Sequence, residues 1–220
     1  MRRRATLLVA TGLLLAACGA DLGASPTPTP RELPAGPADL TPGSYALADF
    51  PVALSFELPA LEPPAVWFAC WGSLVEQAVC TEPTPGAVVA VTFQIVENVV
   101  AGCSDQETAE LLDPPVGPSV DDLVKAISNL EGYEATEATD ITVSGFAGKE
   151  FTLTAVRHAC GATWSTADRI TGMGAGEINL LRAIDVDGER VLIAGAYDGR
   201  TPEDTLATME RVMDSIQVEP

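Results

Sequence analysis

Five cysteines, one histidine and two lysines carry the most reactive side chains of this chain: Cys18, Cys70, Cys80, Cys103, Cys160, His158, Lys125 and Lys149. Cys18 ends an N-terminal leader. The other four form an even set, which in an exported chain reads as two disulfides. Three pairings exist for four cysteines. Spacing favours Cys70–Cys80, a short loop through a turn-like segment, and Cys103–Cys160, which ties the middle of the domain to its later half. A metal site has little support, because there is no Cys-x-x-Cys pair and His158-x-Cys160 stands alone. A Ser-His-Asp hydrolase would need His158 as its base, and no Gly-x-Ser-x-Gly elbow is present. Lys125 falls on the polar side of an expected helix and Lys149 in an expected hairpin, so Ser-Lys and Schiff-base chemistry lack a setting.

Other motifs carry weaker signals. Asp185-Val186-Asp187-Gly188-Glu189 invites a calcium reading, but an EF-hand loop needs a Glu six residues beyond its glycine and position 194 is Ala. A hairpin turn explains the same residues. Thr171-Gly172-Met173-Gly174-Ala175-Gly176 lacks the Lys-Ser/Thr of a P-loop and reads as a flexible connection. Paired carboxylates could serve a glycosidase, although 31 acidic residues make chance pairs common. Trp67, Phe68 and Trp71 cluster beside Cys70. They either pack over a disulfide or form an exposed aromatic binding edge.

The leader is more specific. Arg2, Arg3 and Arg4 precede an apolar and small-residue run from Ala5 to Ala17, and Leu15-Ala16-Ala17-Cys18 ends it. That order is an export signal. The run is shorter than the roughly 20 residues that cross a bilayer. Leu-Ala-Ala-Cys resembles the lipobox of bacterial lipoproteins. The resemblance implies cleavage after Ala17, a diacylglyceryl thioether on Cys18, and a chain held at the extracytoplasmic face of the cell membrane. One acyl chain binds a membrane marginally and two anchor it stably.

Charge narrows the partners. Loss of residues 1–17 removes three arginines and no acids, leaving nine basic against 31 acidic residues, a formal charge of −22. Such a surface excludes nucleic acid and anionic headgroups as natural partners and permits cations or a basic protein.

Next come the elements that position these residues. Prolines at 26, 28, 30, 34, 37 and 42 read as an extended tether over residues 18–42, leaving 43–220 as a single domain. Val52, Leu54, Phe56 and Leu58 alternate as a half-buried strand, and residues 87–97 are apolar enough for a central strand covered on both faces. Ser119 with Asp122 caps a helix bearing Val120, Leu123, Val124, Ile127 and Leu130. Thr201 is the expected cap of a second, with Pro202 as its first helical residue and Leu206, Met209, Val212, Met213 and Ile216 as its stripe. Asp187-Gly188 predicts a type I′ hairpin that sets Ile184 opposite Val191, Arg182 opposite Ile193 and Asp185 opposite Arg190. A second hairpin is expected from 139–144 to 149–156 through Gly145-Phe146-Ala147-Gly148.

These elements predict an α+β fold, an antiparallel sheet built from hairpins with two main helices packed on it. The element order, with Gly145-Phe146-Ala147-Gly148-Lys149-Glu150-Phe151 and Asp185-Val186-Asp187-Gly188-Glu189-Arg190 before a closing helix, resembles PsbP-like domains over residues 45–220. It is similar as well to LpqN-type actinobacterial lipoproteins. The cysteine-rich stretch 67–103 lies outside that pattern. The resemblance implies mostly non-enzymatic, assembly-type or unassigned roles and carries no catalytic residue onto this chain. The role expected here is binding or assembly in the envelope, with a small ligand or an envelope protein as partner and no cofactor or metal. A small hydrolase using carboxylates is the alternative.

Overall fold

The computed structural model describes residues 29–47, 49–62, 65–73, 76–84, 87–157 and 160–219, with side chains except at 71–73, 76, 77, 82–84, 87 and 88. Cys18 and His158 lie outside the described residues. The strands of the first half are β1 (Arg31–Glu32), β2 (Ala38–Leu40), β3 (Gly43–Ala46), β4 (Leu54–Leu58), β5 (Trp67–Ser73), β6 (Glu76–Thr84), β7 (Ala87–Ile95) and β8 (Asn98–Val99). Helix α1 (Val120–Ser128) precedes β9 (Tyr133–Ala135), β10 (Thr139–Val143), β11 (Phe146–Ala155), β12 (Ala162–Ser165) and β13 (Ile170–Gly172). The chain closes with β14 (Glu177–Val186), β15 (Glu189–Asp198), α2 (Glu203–Asp214) and β16 (Gln217–Val218).

These strands form three sheets. The largest has nine strands in the order β10-β11-β14-β15-β7-β6-β5-β2, with β9 also on β11. A four-stranded sheet runs β1-β3-β4-β16, and a three-stranded one β13-β12-β8. All pairings are antiparallel except β1 with β3. The expected α+β architecture is therefore corrected. Sixteen strands stand against two short helices among the described residues, so the fold is sheet-dominated. Its two short helices share their faces of the large sheet with smaller sheets.

The large sheet separates two cores. On one face Val91, Phe93, Val191 and Ile193 meet Tyr45, Phe56 and Leu58 of the four-stranded sheet and Met209, Val212 and Met213 of α2. Phe56 stacks between Tyr45 and Phe93 at ring separations of 6.2 and 5.1 Å. On the other face Phe151, Leu153, Leu181 and Leu192 meet Leu123, Val124 and Ile127 of α1 and Trp164 of β12. Alternation explains the split, since successive strand residues point to opposite faces.

The prolines at 34, 37 and 42 do not extend the tether. Arg31–Glu32 pairs with Tyr45–Ala46, Ala38–Leu40 pairs with Trp67–Ala69, and Leu33 and Leu40 are buried. The Arg31 guanidinium lies 4.3 Å from the Tyr45 ring centre and donates to Thr41 O and Pro42 O. These contacts supply what proline cannot donate.

Local expectations meet the structure unevenly. The β14–β15 register is the predicted one, with Asp187 and Gly188 at φ 54° and 96°. Asp185 and Arg190 sit opposite each other, yet they are not an ion pair. Asp185 accepts from Gly188 N, while Arg190 donates to Gly117 O and Glu97 O. The second hairpin turns at Ser144-Gly145 (φ 50° and 93°) and not through 145–148. Gly148 lies within β11, where a Cβ would overlap Ala183 O. Helix α1 has the predicted capping box, Ser119 Oγ accepting from Asp122 N at 3.1 Å. Helix α2 begins one residue later than predicted, because Thr201 Oγ1 accepts from Asp198 N and Pro202 occupies the cap.

Candidate functional site

A cleft of about 620 Å³ opens on the large sheet beside α1, with the three-stranded sheet as its wall. Its floor is laid by sequence alternation. In β7, Val89, Val91 and Phe93 face the four-stranded sheet, while Ala90, Thr92 and Gln94 face the cleft. Ala194 and Ala196 of β15 and Glu177 and Asn179 of β14 continue this surface. Alanines leave volume above a sheet that leucines would fill, so the floor stays open.

The wall depends on close backbone approach. Gly172 in β13 pairs with Ala162 in β12, and a Cβ on Gly172 would overlap Gly161 O and Gln106 Nε2. Residues 171–176, read from sequence as a flexible connection, thus form strand and wall. Trp164 packs in the core and its Nε1 donates to Gln94 Oε1 at 2.6 Å, joining wall to floor. Thr171 Oγ1 donates to Trp164 O at 3.1 Å.

Glu177 is the partly buried charge of the floor. One carboxylate oxygen accepts from Gly174 N at 2.7 Å and the other from Asn179 Nδ2 at 3.1 Å. Burial holds this carboxyl above the ordinary glutamate range, and the two hydrogen bonds offset that only in part. Tyr133 lies nearby, its hydroxyl 2.5 Å from Cys160 O. Burial, and then the Glu177 charge, push the phenol up to about 12. Asp198 is the cross-strand partner of Glu177, but Arg200 draws it away with a 2.5 Å ion pair. That guanidinium holds Asp198 below the usual carboxylate range.

The arrangement can bind: amides, hydroxyls and the carboxylates of Glu177 and Asp198 face one space. Among the described residues no Ser, Cys, His or Lys lines the cleft. Lys149 pairs with Asp140 at 2.6 Å and Asp121 at 3.5 Å, which raises its pKa and keeps it charged. Lys125 stands in the last turn of α1 and lines a different hollow. No group of three or more His, Cys, Asp or Glu suited to a metal ion occurs among the described residues. No described helix is long and apolar enough to cross a membrane.

The four domain cysteines pair as Cys70–Cys80 and Cys103–Cys160, with Cα separations of 5.8 and 4.7 Å. Cys70 sits at an irregularity between β5 and β6, so the first bridge ties a long hairpin and spans no simple turn. The second bridge fixes the loop that carries Gln106 over the cleft: Ser104 O accepts from Gly161 N and Ala162 N, both at 3.0 Å. In the aromatic cluster, Trp67 is 1 % exposed and donates from Nε1 to Pro59 O at 2.9 Å, while Phe68 is half-buried. The Trp71 side chain is outside the described set. Sequence reasoning missed Glu177, Asn179, Gln94 and Trp164. The available signal was the small and polar series Ala90, Thr92, Gln94 inside a strand read as apolar throughout.

No protein-family model matches the chain, and no curated protein matches it in sequence. Among the similar solved structures is the solution structure of cyanobacterial PsbP (CyanoP) from Synechocystis. It is 13 % identical, covers 84 % of this chain and 94 % of its own, and superposes with a TM-score of 0.39. A likeness at that level neither assigns a family nor transfers a role.

Proposed function

We propose that this chain is a lipid-anchored extracytoplasmic binding module that holds a small ligand in the cleft without transforming it. The observation that carries the binding role is the cleft itself. Its volume lies in the range of small-molecule sites, roughly 300–1,000 Å³. Alanines, amides, hydroxyls and two carboxylates line it, with no Ser, Cys, His or Lys among the described residues. The leader ending in Cys18 supports the anchor, and two disulfides support an oxidising compartment. The Pro- and Thr-rich stretch after Cys18 supports a spacer, which as extended chain spans about 3.1 Å per residue.

The binding role is tested by thermal unfolding against small metabolites and cell-wall fragments. A ligand at a hundredfold excess over Kd adds about 2.7 kcal/mol of stability. Filling the cleft with Ala196→Trp should abolish the shift. A shift that survives this variant, or none across the panel, defeats the reading. For the anchor, Cys18→Ala should move the chain from the membrane pellet to the supernatant, and continued sedimentation would refute lipidation.

A carboxylate hydrolase is the second reading. It is favoured by one observation, that Glu177 and Asp198 are cross-strand neighbours pushed in opposite directions. Turnover of a glycoside lost in Glu177→Gln would support it over the binding role.

A further inference from the structure

Glu177 is a partly buried carboxylate whose hydrogen-bond partners, Gly174 N and Asn179 Nδ2, are both uncharged. The other acidic group on the cleft, Asp198, has Arg200 as counterion. Among the described residues no ion pair is made to Glu177. A carboxylate offers about four lone-pair sites, and two are used. Arg169 lines the same cleft, yet Glu177 keeps only uncharged partners, and a charge under cover on those terms is costly unless a cation arrives. We propose that the cleft takes a small protonated amine, whose ammonium docks on the free lone pairs of Glu177.

Three features point to a cation in preference to an anion. The backbone donor facing this end of the cleft, Gly174 N, is already occupied by Glu177. Tyr197, half-buried, lines the same space, and an aromatic ring attracts cations. The chain as a whole carries a formal charge of −19, which concentrates cations at its surface. The cleft volume of about 620 Å³ suits an amine of modest size. The inference rests on the binding role proposed above and specifies what that role recognises.

The test is a titration of the isotope-labelled full chain in detergent micelles with phenethylamine and, separately, with N-acetylphenethylamine. The pair shares its ring and linker and differs in charge. The amine should shift the amide resonances of Gly174, Glu177, Ala194 and Ala196, and its acetylated partner should bind at least tenfold more weakly. Glu177→Gln should weaken the amine at least tenfold. Equal binding of the two probes at the cleft would overturn the amine inference and leave the binding role standing. No response of cleft resonances to either probe would overturn it too, while the wider ligand panel decides the binding role. The two-probe comparison uses the unaltered protein, so the result holds even if Glu177→Gln folds poorly.

Discussion

Loss of the Cys103–Cys160 bridge should weaken the fold more than loss of Cys70–Cys80, because the bridges close loops of very different length. The separations are 57 and 10 residues. In the chain-entropy model these correspond to about 4.2 and about 2.7 kcal/mol at 25 °C, a difference of about 1.5 kcal/mol. Packing acts in the same direction: Cys160 is 1 % exposed within the core beneath α1, whereas Cys70 is half-buried. Cys103→Ala/Cys160→Ala and Cys70→Ala/Cys80→Ala would be compared by urea unfolding, with midpoints and slopes read separately. The first pair should also blunt ligand binding, since it frees the segment that carries Gln106 over the cleft. Equal losses, or a larger loss for Cys70→Ala/Cys80→Ala, would refute the reasoning. Unequal slopes would place part of the effect in the unfolded state.

Gly172→Ala should separate β12 from β13 and cost binding along with stability, because its Cβ would meet backbone at Gly161 O; near-native unfolding would show that the wall can yield. Ser119→Ala should lower stability by about 1 kcal/mol through loss of the capping box, read as a fall in urea midpoint at unchanged slope. Glu177 has a definite pH sign. Burial raises its folded pKa, so the folded state binds the proton more tightly than the unfolded state. Its contribution to stability is fully present below the unfolded value of about 4.3 and is lost as pH rises through the folded value. The facing groups do not titrate in that window: Tyr133 is held at about 12 and Asp198 is held low by Arg200. Relative to Glu177→Gln, the wild-type protein should lose stability between mildly acidic and neutral pH, and parallel profiles would contradict this.

The parts legible in sequence are those where a few adjacent residues dictate geometry. Asp187-Gly188 demands positive φ twice, and that alone fixes ten cross-strand pairs of β14 and β15. Ser119 and Asp122 complete each other's hydrogen bonds, so α1 starts where the spacing says. Thr201 misled because a hydroxyl before Pro202 has a competing partner, Asp198 N, that only the fold supplies. In the four-stranded sheet β4 was legible from Leu54, Phe56 and Leu58, but its partner strands and the three-stranded sheet were missed for another reason. Those strands are two to four residues long, too short for alternation to register. Long-range contacts such as Arg31 with Tyr45 hold the first strands in place, and no local pattern announces them.

The cleft follows from a mismatch of lengths that sequence reading had the means to see. Strands β14 and β15 have ten residues each, about 33 Å of extended chain. Helix α1 has nine residues, about 14 Å, and cannot cover a face that long. Large side chains fill the sheet where the helix lies, at Leu153, Leu181 and Leu192. Towards the start of β14 the floor changes to Ala194, Ala196, Thr92 and Asn179, and the covering element is a short sheet resting on Trp164. A sequence that only needed a closed core would place leucine or valine at these positions, which bury apolar area at about 25 cal/mol per Å². Small and polar residues forgo that stabilisation, and Glu177 adds a charge whose burial opposes folding at neutral pH. The proposed ligand binding would recover both losses, so Ala196→Leu should stabilise the unliganded domain while abolishing ligand-induced shifts. A destabilised Ala196→Leu variant would mean that the space is already filled by packing, and the cleft would lose its claim to be a site.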